Sequence, residues 1–410
     1  MDSMNSNFDV VIVGGGMVGS AVACGLGESG LRVAVIERAF PLAFSADQPH
    51  DLRVSALSIA SRKILESIGA WQGIGERRYC PFRRMRVWEA AGDTEFRSDE
   101  IDCEALGYIV ENRITQLALL ERLQSFGNLH LFCPAHIQRI EYLGEKNGHR
   151  STVELSDGTV LSTKLLIGAD GGNSRVRQAA DIGVTSWDYQ QQALVIYVET
   201  DYPQQDITWQ RFMPSGPQAF LPLTGQYGSL VWYNSPDEVR RLKLLTESEL
   251  LDELTEAFPS CLGRINAILG TASFPLKRQH AQRYVKQGVA LVGDAAHMIN
   301  PLAGQGVNIG LLDAAALVEV IIEAARAGRD FAALMELRRY EKARRVDNLR
   351  MMTLMDVFYK VFSNDIAPVK LIRNIGLGLA ERIGPAKKTV MKIAMGLDGN
   401  LPKLAKGEPI

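Results

Sequence analysis

Cysteine is scarce in this chain: five among 410 residues, at Cys24, Cys80, Cys103, Cys133 and Cys261. None forms C-x-x-C, and none has a histidine at metal-ligand spacing. That argues against a disulfide frame or a thiolate metal site and fits reduced thiols in a cytoplasmic protein. Long apolar runs are also missing. None reaches the roughly 18 residues needed to cross a bilayer. Met1–Asn7 is polar, so no signal peptide is expected. Internal repeats and low-complexity segments are absent. A large excess of charge is lacking too. The net charge of −2 argues against a general nucleic-acid binder.

Apolar residues make up 46% of the chain, enough for a large core, and the length allows two domains. The charge is unevenly spread. Arg338 to Ile410 carries 15 Lys and Arg against 7 Asp and Glu. This basic, Met-rich tail on an acidic body suits contact with an anionic surface or a partner, or a set of ordinary solvated helix faces.

The most informative stretch comes first. Phe8-Asp9-Val10-Val11-Ile12-Val13 reads as a buried strand and leads into Gly14-Gly15-Gly16-Met17-Val18-Gly19. A second strand, Arg32 to Ile36, ends in Glu37. In such a G-x-G-x-x-G turn, Gly14 permits the tight bend and Gly16 lets the backbone approach a pyrophosphate. Gly19 lets the following helix, about Met17 to Ser29, pack against the sheet. That helix aims its N-terminal N–H groups at the phosphates. Glu37 would accept hydrogen bonds from an adenosine ribose. Strand, turn and acid at this spacing point to an adenine dinucleotide.

Further along, Ser55–Ile68 reads as one helix and Thr115–Phe126 as another. Leu165-Leu166-Ile167-Gly168-Ala169-Asp170 is a second buried strand ending in an acid. Between about Ser186 and Arg283 the pattern changes to alternating runs, such as Ala193–Val198 and Ser229–Tyr233, which read as antiparallel strands. One helix interrupts them, about Glu247 to Phe258. Val289-Ala290-Leu291-Val292-Gly293-Asp294 returns to the parallel style. The expected fold is α/β: a Rossmann-like nucleotide domain, discontinuous over 1–185 and 284–350 with inserted strands near 80–110. An antiparallel-sheet domain over 186–283 and a helical region over 351–410 complete it.

Two further motifs stand at strand ends: Gly168-Ala169-Asp170-Gly171-Gly172-Asn173-Ser174-Arg175-Val176-Arg177, and Gly293-Asp294-Ala295-Ala296-His297, followed by Pro301 and Gly304-Gln305-Gly306-Val307-Asn308. With the first motif, they resemble the group A flavoprotein aromatic hydroxylases over essentially the whole chain. The resemblance implies FAD. It assigns Gly14, Gly16, Gly19, Glu37, Asp170 and Asp294 to the cofactor, Asp294 to its ribityl chain, and Asp170 to the pyrophosphate region and NAD(P)H use. Pro301, Gly304, Gly306, Val307 and Asn308 would approach the flavin, where a helix start can aim N–H groups at a carbonyl that gains negative charge on reduction. Arg53 resembles a family arginine close to the flavin and the nicotinamide path. A charge there would favour anionic reduced flavin and attract a phosphate-bearing donor. Asn112 departs from the Arg or Gln of many relatives. His297 either serves proton traffic or makes a structural hydrogen bond. No motif offers an obvious Cys or His attachment point, although Cys24 follows the glycine turn closely, so the FAD is expected to be non-covalent.

Gly107–Asn112 and His297–Asn308 are similar to the ubiquinone-biosynthesis hydroxylases within that group. So are Cys80–Met85, Pro214–Leu223, Leu230–Pro236 and Asp356–Tyr359. This implies NAD(P)H- and O2-dependent ring hydroxylation of a polyprenylated benzoquinol, 2-polyprenyl-3-methyl-6-methoxy-1,4-benzoquinol, by way of a flavin C4a-hydroperoxide. The alternatives are another ring position, 2-polyprenylphenol as substrate, a flavin-dependent polyprenyl reductase, or a flavin-bearing assembly subunit. An apolar pocket is expected, with Trp209, Phe212, Phe220, Leu221, Pro222, Leu223 and Trp232 able to line it. Leu371, Ile372, Ile375, Leu379 and Ile383 share one helical face, with Lys370, Arg373 and Arg382 elsewhere around it. Such a helix could rest on the inner membrane, dock on a ubiquinone-biosynthesis protein complex, or cover the protein's own core.

Overall fold

Val10, Val11, Ile12 and Val13 follow one another without a polar break, the pattern of a strand covered on both faces. In the computed structural model, which describes residues 5–89, 92–144, 150–259, 263–299, 305–362, 395–397 and 399–410, they belong to the strand Asn5–Val13. Its sheet runs Val285–Lys286, Val289–Leu291, Val160–Gly168, Asn5–Val13, Val33–Ile36, Leu129–Phe132. Ser151–Leu155 and Ile137–Glu141 extend it beside Val160–Gly168. Val13 is level with Ile36 on one side and Gly168 on the other, and Gly168 is level with Leu291. Four parallel strands therefore end together. Gly14, Glu37, Asp170 and Gly293 follow those ends along one edge, where open parallel sheets bind ligands.

The antiparallel sheet recruits distant segments. Its order is His297–Met298, Ile265–Ala281, Val184–Thr200, Tyr227–Asn234, Gln218–Pro222, Ile207–Arg211, Arg84–Glu89, Gly92–Arg97. The Arg84–Glu89 strand joins in parallel to Ile207–Arg211. At the other edge His297 pairs with His280 and Met298 with Gln279. The tract between Leu291 and His297 thus leaves one sheet and enters the other.

The helix read over Ser55–Ile68 is split. Val54–Ser58 is a strand paired with Gly107–Glu111, and the helix is Ile59–Ser67. Ser58 fixes the boundary: its side chain accepts the Ser61 N–H, an N-cap that starts the helix there. The first helix is also shorter than expected, Met17–Gly25. A helix at Pro236–Leu244 went unread, although Ser235 caps it and Pro236 occupies its first turn. The helix Glu247–Ala257 begins with a capping box between Thr246 and Glu249.

The expected amphipathic helix through Leu371, Ile372, Ile375, Leu379 and Ile383, with Lys370, Arg373 and Arg382, lies outside the described residues. Among those described, no helix is long and apolar enough to cross a membrane.

Candidate functional site at the strand ends

The glycine turn is built by close contacts. Gly14 has φ +102°, and a Cβ there would collide with the Ala169 carbonyl. A Cβ at Gly19 would collide with the Gly14 carbonyl and stand 3.0 Å from the Ala169 Cβ. Gly16 differs. Among the described residues, nothing beyond its chain neighbours and its own helix lies within 4 Å of where its Cβ would stand. The fold therefore does not need glycine at 16, whereas close approach by a ligand does. Gly16 is also the N-cap of Met17–Gly25, with no side-chain cap and no acid in the first turn. Its exposed N–H groups suit a pyrophosphate. Cys24, on the same helix, is buried and donates to the Leu119 carbonyl; burial pushes its thiol up to about 12. It is chemically inert as a flavin attachment point.

Glu37 braces the turn. Its Oε2 accepts the Gly15 N–H at 2.7 Å, and its Oε1 accepts the Arg38 and Ala39 N–H groups at 2.8 and 3.4 Å. A carboxylate has about four acceptor sites, so Oε2 keeps capacity for a ribose hydroxyl.

Asp170 stands beside the glycine turn, with its carboxylate engaged by the next helix. Its Oδ1 accepts the Ser174 hydroxyl at 2.5 Å, and its Oδ2 accepts the Arg175 and Val176 N–H groups at 2.6 and 3.3 Å. The carboxylate is held by the start of the helix Arg175–Ala179, because short acidic side chains capture free helix N–H groups. The main chain at Ala169 and Asp170, rather than this carboxylate, borders Gly14. The same motif supplies a residue that sequence reading passed over. Arg177 is buried and donates to the carbonyls of Ala295 and Gly172 at 2.8 and 2.7 Å, tying the second motif to the third.

Asp294 reaches solvent, yet the surrounding protein pushes its pKa upward, while His297 and Arg53 act in the opposite direction. A carboxyl that reaches solvent while packed round by protein is free to accept a ligand hydroxyl. Arg53 is exposed, and its guanidinium has no hydrogen bond or ion pair among the described residues. Gly293, at φ +57°, packs against Val18. A Cβ at Gly310 would lie 2.7 Å from Val18 and 3.4 Å from Gly293, so Gly310 allows the helix Gln305–Arg326 to press close.

In the third motif the Asn308 side chain is committed to the protein, which leaves its main chain for the expected approach to a cofactor. Its Oδ1 accepts from Ser58 N and Ser61 Oγ at 2.9 and 2.7 Å, and its Nδ2 donates to the Ala56 carbonyl at 2.9 Å. Val307 packs on the main core. At Gly306, Val307 and Asn308 the helix-start main chain is what remains for a ligand. His297 is buried, with Nε2 2.5 Å from Asp313 Oδ2. That geometry favours the structural hydrogen bond over proton traffic. Pro301 and Gly304 lie outside the described residues. Asn112, the departing position, accepts from the Ser55 hydroxyl at 2.7 Å.

The antiparallel sheet has two unlike faces, because side chains alternate along a strand. Trp209, Phe220 and Trp232, expected at the pocket, pack instead on the far face with Val239, Leu242, Leu250, Leu254 and Phe258. Phe212 is buried, and its N–H donates to the Trp88 carbonyl. The opposite face carries the row Ala272, Val195, Val231, Ala219, and beside it Gly270, Tyr197, Ser229, Leu221. Tyr197, Leu221 and Leu223 pack with Leu52, Val54 and Ala56, so this face turns toward the strand that follows Arg53. The row Ala272, Val195, Val231, Ala219 is small and aliphatic, as an apolar ring requires. Beside it, a cavity of about 730 Å³ opens near residues 44–50, lined in part by Phe44, His50, Arg77, Arg78, Tyr197 and Tyr227. None of the glycine-turn residues lines it.

Three comparisons bear on this geometry. The FAD binding domain family matches residues 7–352. The chain is 43% identical to the 3-demethoxyubiquinol 3-hydroxylase of Escherichia coli, over 96% of this chain and 100% of that protein. It is 39% identical to the ubiquinone hydroxylase UbiL of Rhodospirillum rubrum, over 98% and 93%. Among solved structures, the fold is similar to Pseudomonas aeruginosa PqsL in complex with 2-aminobenzoylacetate, with TM-score 0.76, 22% identity and 88% and 97% coverage.

Proposed function

Because the chain belongs to the FAD-binding family of ubiquinone-biosynthesis hydroxylases and is an FAD-dependent monooxygenase, we propose that its substrate is 2-polyprenyl-3-methyl-6-methoxy-1,4-benzoquinol. One oxygen atom is inserted at a bare ring carbon. The balance is quinol, O2, NAD(P)H and a proton giving hydroxylated quinol, NAD(P)+ and water. The observation that carries this reading is the aliphatic row Ala272, Val195, Val231, Ala219 on the sheet face that packs with Leu52, Val54 and Ala56, the residues around Arg53. The names of the two curated relatives support the substrate class.

Bound FAD supplies electron storage and oxygen activation. The residues do the rest. The Gly14–Gly16 main chain and the Met17–Gly25 helix start would receive the pyrophosphate, and Glu37 the ribose. Asp294 would accept ribityl hydroxyls. Arg53 would place a positive charge where reduction leaves a negative one. The aliphatic row excludes water and holds the ring. The ring must be electron-rich, so the hydroquinol rather than the quinone reacts.

The test is turnover of a quinol analogue with either pyridine nucleotide under 18-oxygen gas. Label in the new hydroxyl is expected. Label from water would overturn the reading. Product formed solely from 2-polyprenylphenol would move the chain to a sister reaction.

A further inference from the structure

Asp313 lies in the apolar run Leu311 to Val318 and is fully buried. Four donors converge on it. Its Oδ2 accepts the Gly293 N–H at 3.3 Å and lies 2.5 Å from His297 Nε2. Its Oδ1 accepts from Arg344 Nε at 3.1 Å and Asn348 Nδ2 at 3.0 Å. That fills the roughly four acceptor sites of an ionised carboxylate. Burial by itself would raise its pKa, but His297, Arg344 and Asn348 together hold it below the usual carboxylate range.

The origins of the donors matter. Gly293 and His297 flank Asp294. Arg344 and Asn348 belong to the helix Leu334–Phe362. That helix also packs Met352 against Ile299 and Ile309, and Met355 against Tyr233 and Leu276. Gly293 is held at φ +57°, a conformation glycine leaves easily when nothing fixes it.

We propose that Asp313 is a positioning residue for FAD: it grips the Asp294 loop on both sides, through the Gly293 N–H and His297, and links that loop to the seat of the Leu334–Phe362 helix through Arg344 and Asn348. It acts on the flavin end of the cofactor. Asp313 makes none of these hydrogen bonds to the glycine turn, the expected seat of the pyrophosphate, which meets the gripped loop through Val18 packing on Gly293.

The test uses holoenzyme carrying Asp313→Asn. FAD released on dilution is followed by flavin fluorescence, and the bound flavin by its visible spectrum and midpoint potential. The expected result is a folded protein whose FAD dissociation constant rises about tenfold or more, with a shifted spectrum and potential. A folded variant with wild-type binding, spectrum and potential overturns the proposal. Should Asp313→Asn fail to fold, Asn348→Ala decides. It should loosen FAD by roughly threefold, and wild-type binding would overturn the proposal. Asp356→Ala serves as the control, because it removes the contacts with Arg278 and Tyr189 near the other end of the same helix. It should leave FAD binding unchanged. Equal loosening there would overturn the specific role of Asp313.

Discussion

Glu37 Oε2 accepts the Gly15 N–H at 2.7 Å, so the acid that ends the second strand holds the turn that ends the first. A Cβ at Gly15 would stand 2.8 Å from the Glu37 Cβ, which leaves little room between the two. The turn is set by the protein before any nucleotide arrives.

This separates the glycines by function. Gly16→Val should fold with a loss of about 1 kcal/mol at most, that of a poorer N-cap, since its side chain meets no described residue beyond its neighbours and its own helix. It should nevertheless purify colourless. Gly19→Ala should cost about 1–3 kcal/mol through overpacking against the Gly14 carbonyl. Thermal melts of apoprotein and flavin absorbance distinguish the two. A yellow Gly16→Val protein would remove the pyrophosphate assignment.

Asp294→Ala should weaken FAD by about 1.5–3 kcal/mol, the range for a hydrogen bond to a charged group. Equilibrium titration with FAD measures it. An unchanged dissociation constant would end the ribityl assignment.

The two faces of the antiparallel sheet should respond differently. Ala219→Phe adds a ring to the aliphatic row and should cut turnover while FAD stays bound. Phe220→Ala, one residue away, empties part of the far-face core and should cost about 3–5 kcal/mol of stability. The KM of that variant should stay near the parental value. Steady-state kinetics and denaturant melts on the pair test the assignment of faces. Reversed phenotypes would mean that the substrate lies on the far face.

Stability should fall on mild acidification. Burial, then Arg78, pushes His50 down to about 4, and burial, then Arg345, does the same to His280. Both titrate near 6.5 when unfolded. Between these values the unfolded chain binds protons that the folded chain does not. The stabilisation is therefore complete above about pH 6.5 and is lost as pH falls toward 4. After allowance for solvent screening, the pair contributes about 2–3 kcal/mol. Denaturant melts at about pH 7.5 and about pH 4.5 should show the fall, and His280→Gln should reduce it. A flat profile would refute the role of these histidines.

The strand-end motifs were legible because each joins a buried apolar strand to glycine or acid at fixed spacing. Their side-chain partners were not. Whether Asp170 faces a ligand or the next helix depends on free N–H groups at Arg175 and Val176, which no spacing displays. The aromatic residues misled for a plain reason. Large rings fill cores, and alternation alone does not say which face is inward until the helix at Pro236–Leu244 covers one of them. Asp313 did leave a trace: a single acid among Leu311, Leu312, Ala314, Ala315 and Leu317 calls for buried partners. Its donors at Arg344 and Asn348 come from a helix whose place no local pattern gives.

The tract between Leu291 and His297 has a practical consequence for chimeras. Transplanting the antiparallel sheet between relatives cannot be done with one cassette. The piece from Val184 to Ala281 would arrive without its edge pair at His297–Met298 and without the Arg84–Arg97 hairpin at its other side. Any exchange of this sheet has three seams, and the last of them runs through the loop that carries Asp294. Specificity and cofactor affinity should therefore be inherited together.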